Sequence, residues 1–329
     1  MLRNTMIAIT MLILVSLINS PLSLEAQKGL VIVVTFPSIS KDIERIVCKD
    51  DIVVSIVPPG ADPHTYQLLP KDIDIIKKAD IVVSLAHAPH ELRIKELIQR
   101  KELDVKLIEI PYIPGIEILT NPVTKNPNYH MPIYDPQNYI VFIRYLGQEL
   151  SKLRPECATM YMKNVDKVIN EIKKLISKAP KFNVSAVGDT PLVQYAVKWL
   201  GIDIAYLLVK EYGIPITPQD ISNIKNLLRD KARIVIVTEG KEKASEKLLE
   251  IANEMNVPVL SIPSPLSNMS MIERLSIILE RVKELNPRSL YIESTTSMFG
   301  TQMYIVMIIV LIVLIAIAIA LRVRRGRRS

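Results

Sequence analysis

The chain has 329 residues, room for two ordinary domains. Its 49% apolar content requires a search for membrane segments first, while 23% charged residues with 10 glycines and 22 prolines exclude a disordered or collagen-like chain. Two cysteines exclude a disulfide-rich scaffold and any cysteine-cluster metal site, and much of the +7 net charge sits in the arginines of the last eight residues. Without those five, Arg3 and Glu25, the body carries about +2, which gives no global drive toward nucleic acid.

In chain order, residues 6–18 form an apolar run after Arg3, of signal-peptide length, with cleavage expected near Ala26. LVIVVTF (30–36), IVVSIV (52–57), IVVSLA (81–86) and VKLIEI (105–110) read as buried strands. Residues 41–49 and 70–79 carry one apolar face each at helical spacing, the second opening on Pro70. Strands alternating with short helices indicate a parallel sheet. Residues 111–138, rich in Pro, Asn and Tyr, form a long irregular segment. From Pro155 to about Lys178, Ala158, Tyr161, Met162, Val165, Ile169, Ile172 and Ile176 predict one long helix.

A second alternating block follows. VSAVG (184–188), IDIAYLLV (202–209), RIVIVTE (233–239) and VPVLSI (257–262) read as strands. Helices are expected from Thr190-Pro191 to Gly201, after the Thr217-Pro218-Gln219-Asp220 cap, and at about 241–255. Residues 289–302 read as a polar stalk. Residues 303–321 are uncharged, about 28 Å long as a helix, and followed by arginines, so they predict a transmembrane helix with a cytoplasmic tail.

The expected fold class is therefore α/β: two similar lobes with central parallel sheets, joined by one long backbone helix, plus a C-terminal transmembrane helix. The divisions are a signal peptide (1–26), an N-terminal lobe (27–154), the linking helix (155–180), a C-terminal lobe (181–288), the stalk (289–302), the membrane helix (303–321) and a basic tail (322–329). The large part lies outside the cell, on a single-pass anchor, as a monomer. That location permits a Cys48–Cys157 disulfide; two buried thiols are the alternative.

In open parallel sheets, ligands bind beyond the carboxyl ends of the strands, here the cleft between lobes. His64 follows the second strand in PPGADPHTYQ, a loop stiffened by Pro-Pro-Gly and Asp-Pro turns. His87 and His90 follow the third strand, either as an i, i+3 pair of ligands or as an ordinary helix start, and His130 lies in the irregular segment. In the second lobe Asp189, Glu239 and Ser264 sit at strand ends; Asp189 and Glu239 either cap helices or add oxygen to a mixed site. No GxGxxG, P-loop, GxSxG or HExxH is present.

VPPGADPHTYQLLPKDIDIIKKADIVV, PECATMYMKNVDKVINEI and TPQDISNIKNLLRDKARIVIVTE resemble the substrate-binding proteins of zinc and manganese ABC importers, the cluster A-I solute-binding proteins, over about residues 30–285. The resemblance implies a non-enzymatic receptor that takes zinc or manganese as its transported ligand and hands it to a permease and an ATPase. It implies His64 as first ligand and His130 as second, followed here by Asp135-Pro136. The third falls at Thr190, or at Asp189 with a slip of one, and the fourth at Ser264. The expected metal ligands are thus His64, His130 and Asp189, with a water completing the site or His87 moving in instead. Two other readings are a cell-surface metallo-hydrolase using a base such as Glu91, and an envelope or adhesion protein that kept the fold and lost transport.

Overall fold

The computed structural model describes residues 29–240, 243–285 and 306–312. Strands β1 (Val31–Val34), β2 (Ile52–Ser55), β3 (Ile81–Ser84) and β4 (Lys106–Glu109) form a parallel sheet in the order β2-β1-β3-β4. Strands β5 (Val184–Gly188), β6 (Ile202–Leu207), β7 (Ile234–Thr238) and β8 (Val259–Ile262) form a second, in the equivalent order β6-β5-β7-β8. The Val- and Ile-rich runs become strands because both sheet faces are covered: every residue of β3 and of β7 is buried. All eight expected strands are present.

The helices start where proline presets φ and removes an N–H that would lack a partner. This holds for α1 (Pro37–Glu44), α2 (Pro70–Ile76) and α3 (Pro89–Gln99) in the first lobe. The linking region departs from expectation. An unexpected helix, α4 (Pro136–Leu153), precedes the expected one, which runs as a 3-10 turn at Pro155–Cys157 followed by α5 (Ala158–Ile176). Helix α4 is not among the expected elements and begins inside the segment expected to be irregular, although Tyr139, Phe142, Ile143, Leu146 and Leu150 recur at helical spacing. Asp135 caps it, accepting from the Gln137 and Asn138 amides. The two helices lie so close that a Cβ on Gly147 would stand 2.5 Å from Val165 Cγ2.

In the second lobe, α6 (Val193–Lys198) closes at Gly201, whose φ of +71° suits glycine. Helix α7 (Pro218–Asp230) has the expected Thr217–Asp220 capping box, followed by α8 (Lys243–Glu254) and α9 (Met271–Glu284). One apolar cluster runs through both lobes, joining residues of β1 and β3, α4, α5, β5 and α9.

Cys48 and Cys157 form a disulfide, Cα atoms 6.5 Å apart, which decides between the two alternatives. It sits beside a polar knot: Asp51 accepts from the Leu30 and Cys48 amides, from Arg154 Nη1 at 2.9 Å and from the Tyr161 hydroxyl at 2.7 Å. Together these fix the start of α5 to the first lobe. The expected signal peptide, stalk and basic tail lie outside the described residues. Within the expected membrane helix only 306–312 are described; they are helical with exposed apolar side chains. Among the described residues no helix is long and apolar enough to cross a membrane, so the anchor gains no support from the fold.

Candidate metal site

The cleft between the lobes is a cavity of about 480 Å³. His64, His87 and His130 line its first-lobe side, and the second lobe adds Thr190, Tyr212, Thr238 and Ser264. Apart from His130, each ends or follows a strand, at the carboxyl end that the sheet topology marks for ligands.

Three loops bring the imidazoles together, and each is held by its own hydrogen bonds. The His64 loop is an Asx turn: Asp62 Oδ1 accepts from the His64 amide at 2.9 Å, and the Tyr66 hydroxyl bonds Asp72 at the start of α2. Buried His90 props it from below, its ring nitrogens 3.2 Å from the Pro63 and Thr35 carbonyls. The chelating pair His87/His90 is therefore not formed; His90 turns away from His87 to hold backbone.

The His87 loop is wound around Glu91. That buried carboxylate accepts from the Thr35 and Ser84 hydroxyls and from the amides of Leu85, His87 and Ala88. Ala86, one residue before His87, has φ of +55°, a left-handed conformation that costs a non-glycine residue of order 1 kcal/mol or more. With five donors on it, Glu91 has no capacity left to act as a general base, which removes the residue on which the hydrolase reading leaned.

His130 is oriented across the lobe boundary. Asn128 Nδ2 donates to the Pro191 carbonyl and to Gln194 Oε1, both at 2.8 Å, which fixes which side of the amide is oxygen. Asn128 Oδ1 therefore accepts from His130 Nδ1 at 3.0 Å. That places the proton on Nδ1 and leaves the Nε2 lone pair facing the cleft, as a metal ligand requires. Met131, with φ of +53°, provides the accompanying turn.

One nitrogen from each imidazole lies within 4.8 Å of the other two. His87 Nε2 and His130 Nε2 are 3.1 Å apart, and Glu211 Oε1 is 3.1 Å from His130 Nε2. Tyr212 stacks on His64 with ring centroids 4.8 Å apart and planes 11° off parallel. Burial lowers the His64 pKa, with His130 adding to it; burial, then His130 and His64, pull His87 down to about 4. Burial pushes Glu211 up, but the neighbouring His130 imidazole outweighs this, so the carboxyl lies below its usual range. The imidazoles crowd one another, and such crowding is relieved by a shared cation.

Asp189 is not among these groups. Its carboxylate is fully buried and points into the second lobe, accepting from the Thr238 amide at 2.6 Å, the Ser245 hydroxyl at 2.7 Å and the Thr238 hydroxyl at 3.3 Å. The expectation that it is a metal ligand is corrected accordingly: a carboxylate holding β5 to β7 and α8 is not free to coordinate. Glu239 likewise pairs with Arg281, and Ser264 lines the cleft. The second-lobe carboxylate that does reach the imidazoles, Glu211, is absent from the ligands expected from sequence. A signal for it exists, since it lies two residues past a predicted strand, in the same relation to its sheet as the cleft histidines.

Comparison with known proteins agrees with this architecture. The profile of the family described as zinc-uptake complex component A, periplasmic, matches residues 32–297. A metal ABC transporter substrate-binding lipoprotein of Lactococcus lactis is 28% identical over 68% of this chain and 76% of its own length. The manganese ABC transporter substrate-binding lipoprotein PsaA of Streptococcus pneumoniae is 24% identical over 70% and 78%. The Pseudomonas aeruginosa binding protein FpvC, solved with manganese, shares the fold with a TM-score of 0.65 at 19% identity, over 80% of this chain and 98% of that one. With most of its length matched by one profile and both lobes in place, the chain belongs to the zinc-uptake complex component A family of metal ABC transporter substrate-binding proteins.

Proposed function

We propose that this chain captures a divalent metal ion, zinc or manganese, in the inter-lobe cleft and delivers it to the permease and ATPase subunits of an ABC importer. The observation that carries this is the convergence of His64, His87 and His130 within 4.8 Å, with Glu211 joining from the other lobe. Three neutral nitrogens and one carboxylate are a ligand set for a divalent ion. Because Glu211 and Tyr212 come from the second lobe, the bound ion ties the lobes together and gives an importer a closed form to recognise.

The large domain sits outside the cell, anchored by residues 303–321. Relatives are named lipoproteins, but both cysteines of this chain are joined to each other, which leaves no thiol for a lipid and favours the apolar helix as anchor.

The test is elemental analysis and metal titration of the full chain, purified in detergent without chelator. One ion per chain is expected, with affinity lowered at least roughly ten- to a hundredfold by His64→Ala. A wild-type chain that takes up neither zinc nor manganese would overturn the proposal.

A further inference from the structure

The end of the second lobe opposite the cleft carries a charged surface that metal capture does not use. Helix α5 ends at Ile176, before the amino end of β5, whose other end meets the cleft. Helix α9 starts at Met271, after the loop whose Ser264 lines the cleft, and ends at Glu284. The two helix ends border a groove of about 370 Å³, lined by the apolar Ala179, Pro180, Phe182, Val282 and Leu285 and by Lys178 and Lys283. Lys173 and Lys174 lie in the last turn of α5. All four lysines are exposed, and among the described residues none pairs with a carboxylate; Glu171 and Glu239 are taken by Arg45 and Arg281. Lys181 adds a fifth ammonium, donating to the Trp199 carbonyl. Against these five, α9 sets two exposed carboxylates, Glu280 and Glu284. A helix dipole favours one or two cations at its carboxyl end. Here one surface holds more excess positive charge than the whole body, which carries about +2. The chain also leaves the folded domain at this point: Leu285 lines the groove, and residues 286–302 lead from it to the apolar run 303–321.

We propose that this lysine-bordered surface docks on the anionic lipid headgroups of the membrane that holds the chain, so that the domain rests with its cleft turned away from the bilayer and open to solvent. The proposal rests on the reading of residues 303–321 as the anchor. Ammonium groups pair with lipid phosphates as point charges, and the lysine stems and the apolar lining of the groove suit the glycerol and first methylenes of a lipid. Each lysine close to an anionic surface strengthens the contact roughly fivefold. A tethered domain meets its own membrane at high effective concentration, so a contact too weak to recruit a free protein is enough to orient this one. Residues 286–302 extend to at most about 60 Å. That is twice the length of α5, about 28 Å, so the same tether lets the domain lift off and present its cleft to a permease.

The test places the full chain in nanodiscs of phosphatidylglycerol and, separately, of phosphatidylcholine, and follows lysine acylation by a water-soluble amine reagent with peptide mass spectrometry. At about 0.05 M salt, Lys173, Lys174, Lys178 and Lys283 should react at least about fivefold more slowly in the anionic discs than in the neutral ones. At about 0.5 M salt, where screening is complete within a few ångströms, the two rates should converge. Lys71, exposed at the cleft end of α2, should react alike in both discs at either salt. Replacing three of the exposed lysines together, Lys173→Gln, Lys174→Gln and Lys283→Gln, should remove most of the protection of Lys178 without touching the core. Equal rates in the two discs at low salt would overturn the proposal. So would slow rates in both, since the chain itself would then cover the groove, and so would protection that survives high salt. A chain that stays soluble without detergent and enters neither disc would overturn the anchor and this proposal together, leaving metal capture to its own titration.

Discussion

Asp189→Asn separates the structural from the metal-binding role of the second lobe. The carboxylate is fully buried, with Oδ2 accepting from the Thr238 amide and the Ser245 hydroxyl, and Oδ1 from the Thr238 hydroxyl. An asparagine has one oxygen, which the 2.6 Å bond from the Thr238 amide will claim. Its NH2 then faces the Thr238 hydroxyl, which can turn and accept, and the Thr190 amide, which also bonds the native carboxylate and cannot. One buried amide left without a partner costs about 1–3 kcal/mol. For a protein of this size that lowers Tm by roughly 2–6 °C. Burial raises the Asp189 pKa, so the native charge already carries a desolvation cost, and the lower half of the range is expected. The assay pairs thermal denaturation of the metal-free chain with a zinc titration. The expected result is a lower Tm with unchanged affinity. Unchanged Tm with affinity down tenfold or more would mean that Asp189 ligates the ion, and the inward-facing carboxylate would be refuted.

Glu211→Gln should give the complementary result: zinc affinity reduced at least roughly tenfold with little change in Tm, because Glu211 is half-buried and bonds chiefly across the cleft, as calorimetry would show. Replacing Cys48 and Cys157 together by alanine opens a crosslink spanning 109 residues, for which chain entropy sets a ceiling of about 5 kcal/mol; a loss of about 2–4 kcal/mol in denaturant unfolding is expected, with metal affinity unchanged. Gly147→Ala drives a Cβ into Val165 Cγ2 and should cost about 1–3 kcal/mol, recovered in part by Val165→Ala; equal stability of Gly147→Ala and wild type would refute the close α4–α5 contact. His87 is held at about 4 in the fold against an ordinary 6.5, so its unprotonated form contributes stability above pH 6.5 that is lost as pH falls toward 4. Discounted for partial exposure, this is about 1–2 kcal/mol, and His87→Gln should flatten that part of the metal-free pH–Tm profile.

The lobes and their strands were legible in the amino-acid order. Buried parallel strands such as IVVS at 81–84 and IVIVT at 234–238 are apolar on both faces, and capping signals such as Thr217 to Asp220 act within four residues. These are local causes, and a single sequence carries them. The Asp-Pro-His turn placed His64 by the same kind of argument. Helix α4 is absent from the expected elements although its signals are equally local: Asp135-Pro136 is a cap with a first-turn proline, and Tyr139, Phe142, Ile143, Leu146 and Leu150 recur at helical spacing. Whether Cys48 meets Cys157 depended on α5 returning beside the first lobe, a contact between residues 109 apart.

Only the tertiary structure separates the groups that meet in the cleft from those that turn away from it. Asp189 and Glu211 both follow strands of the second sheet, and nothing in the order of residues tells which carboxylate turns inward to Ser245 and which crosses to His130. Likewise His87 and His90 share one short stretch, yet one enters the cleft and the other supports Pro63. Such choices are made by the partners each side chain meets across the fold. A buried carboxylate or imidazole settles where its hydrogen bonds are complete, and those partners lie in distant segments of the chain.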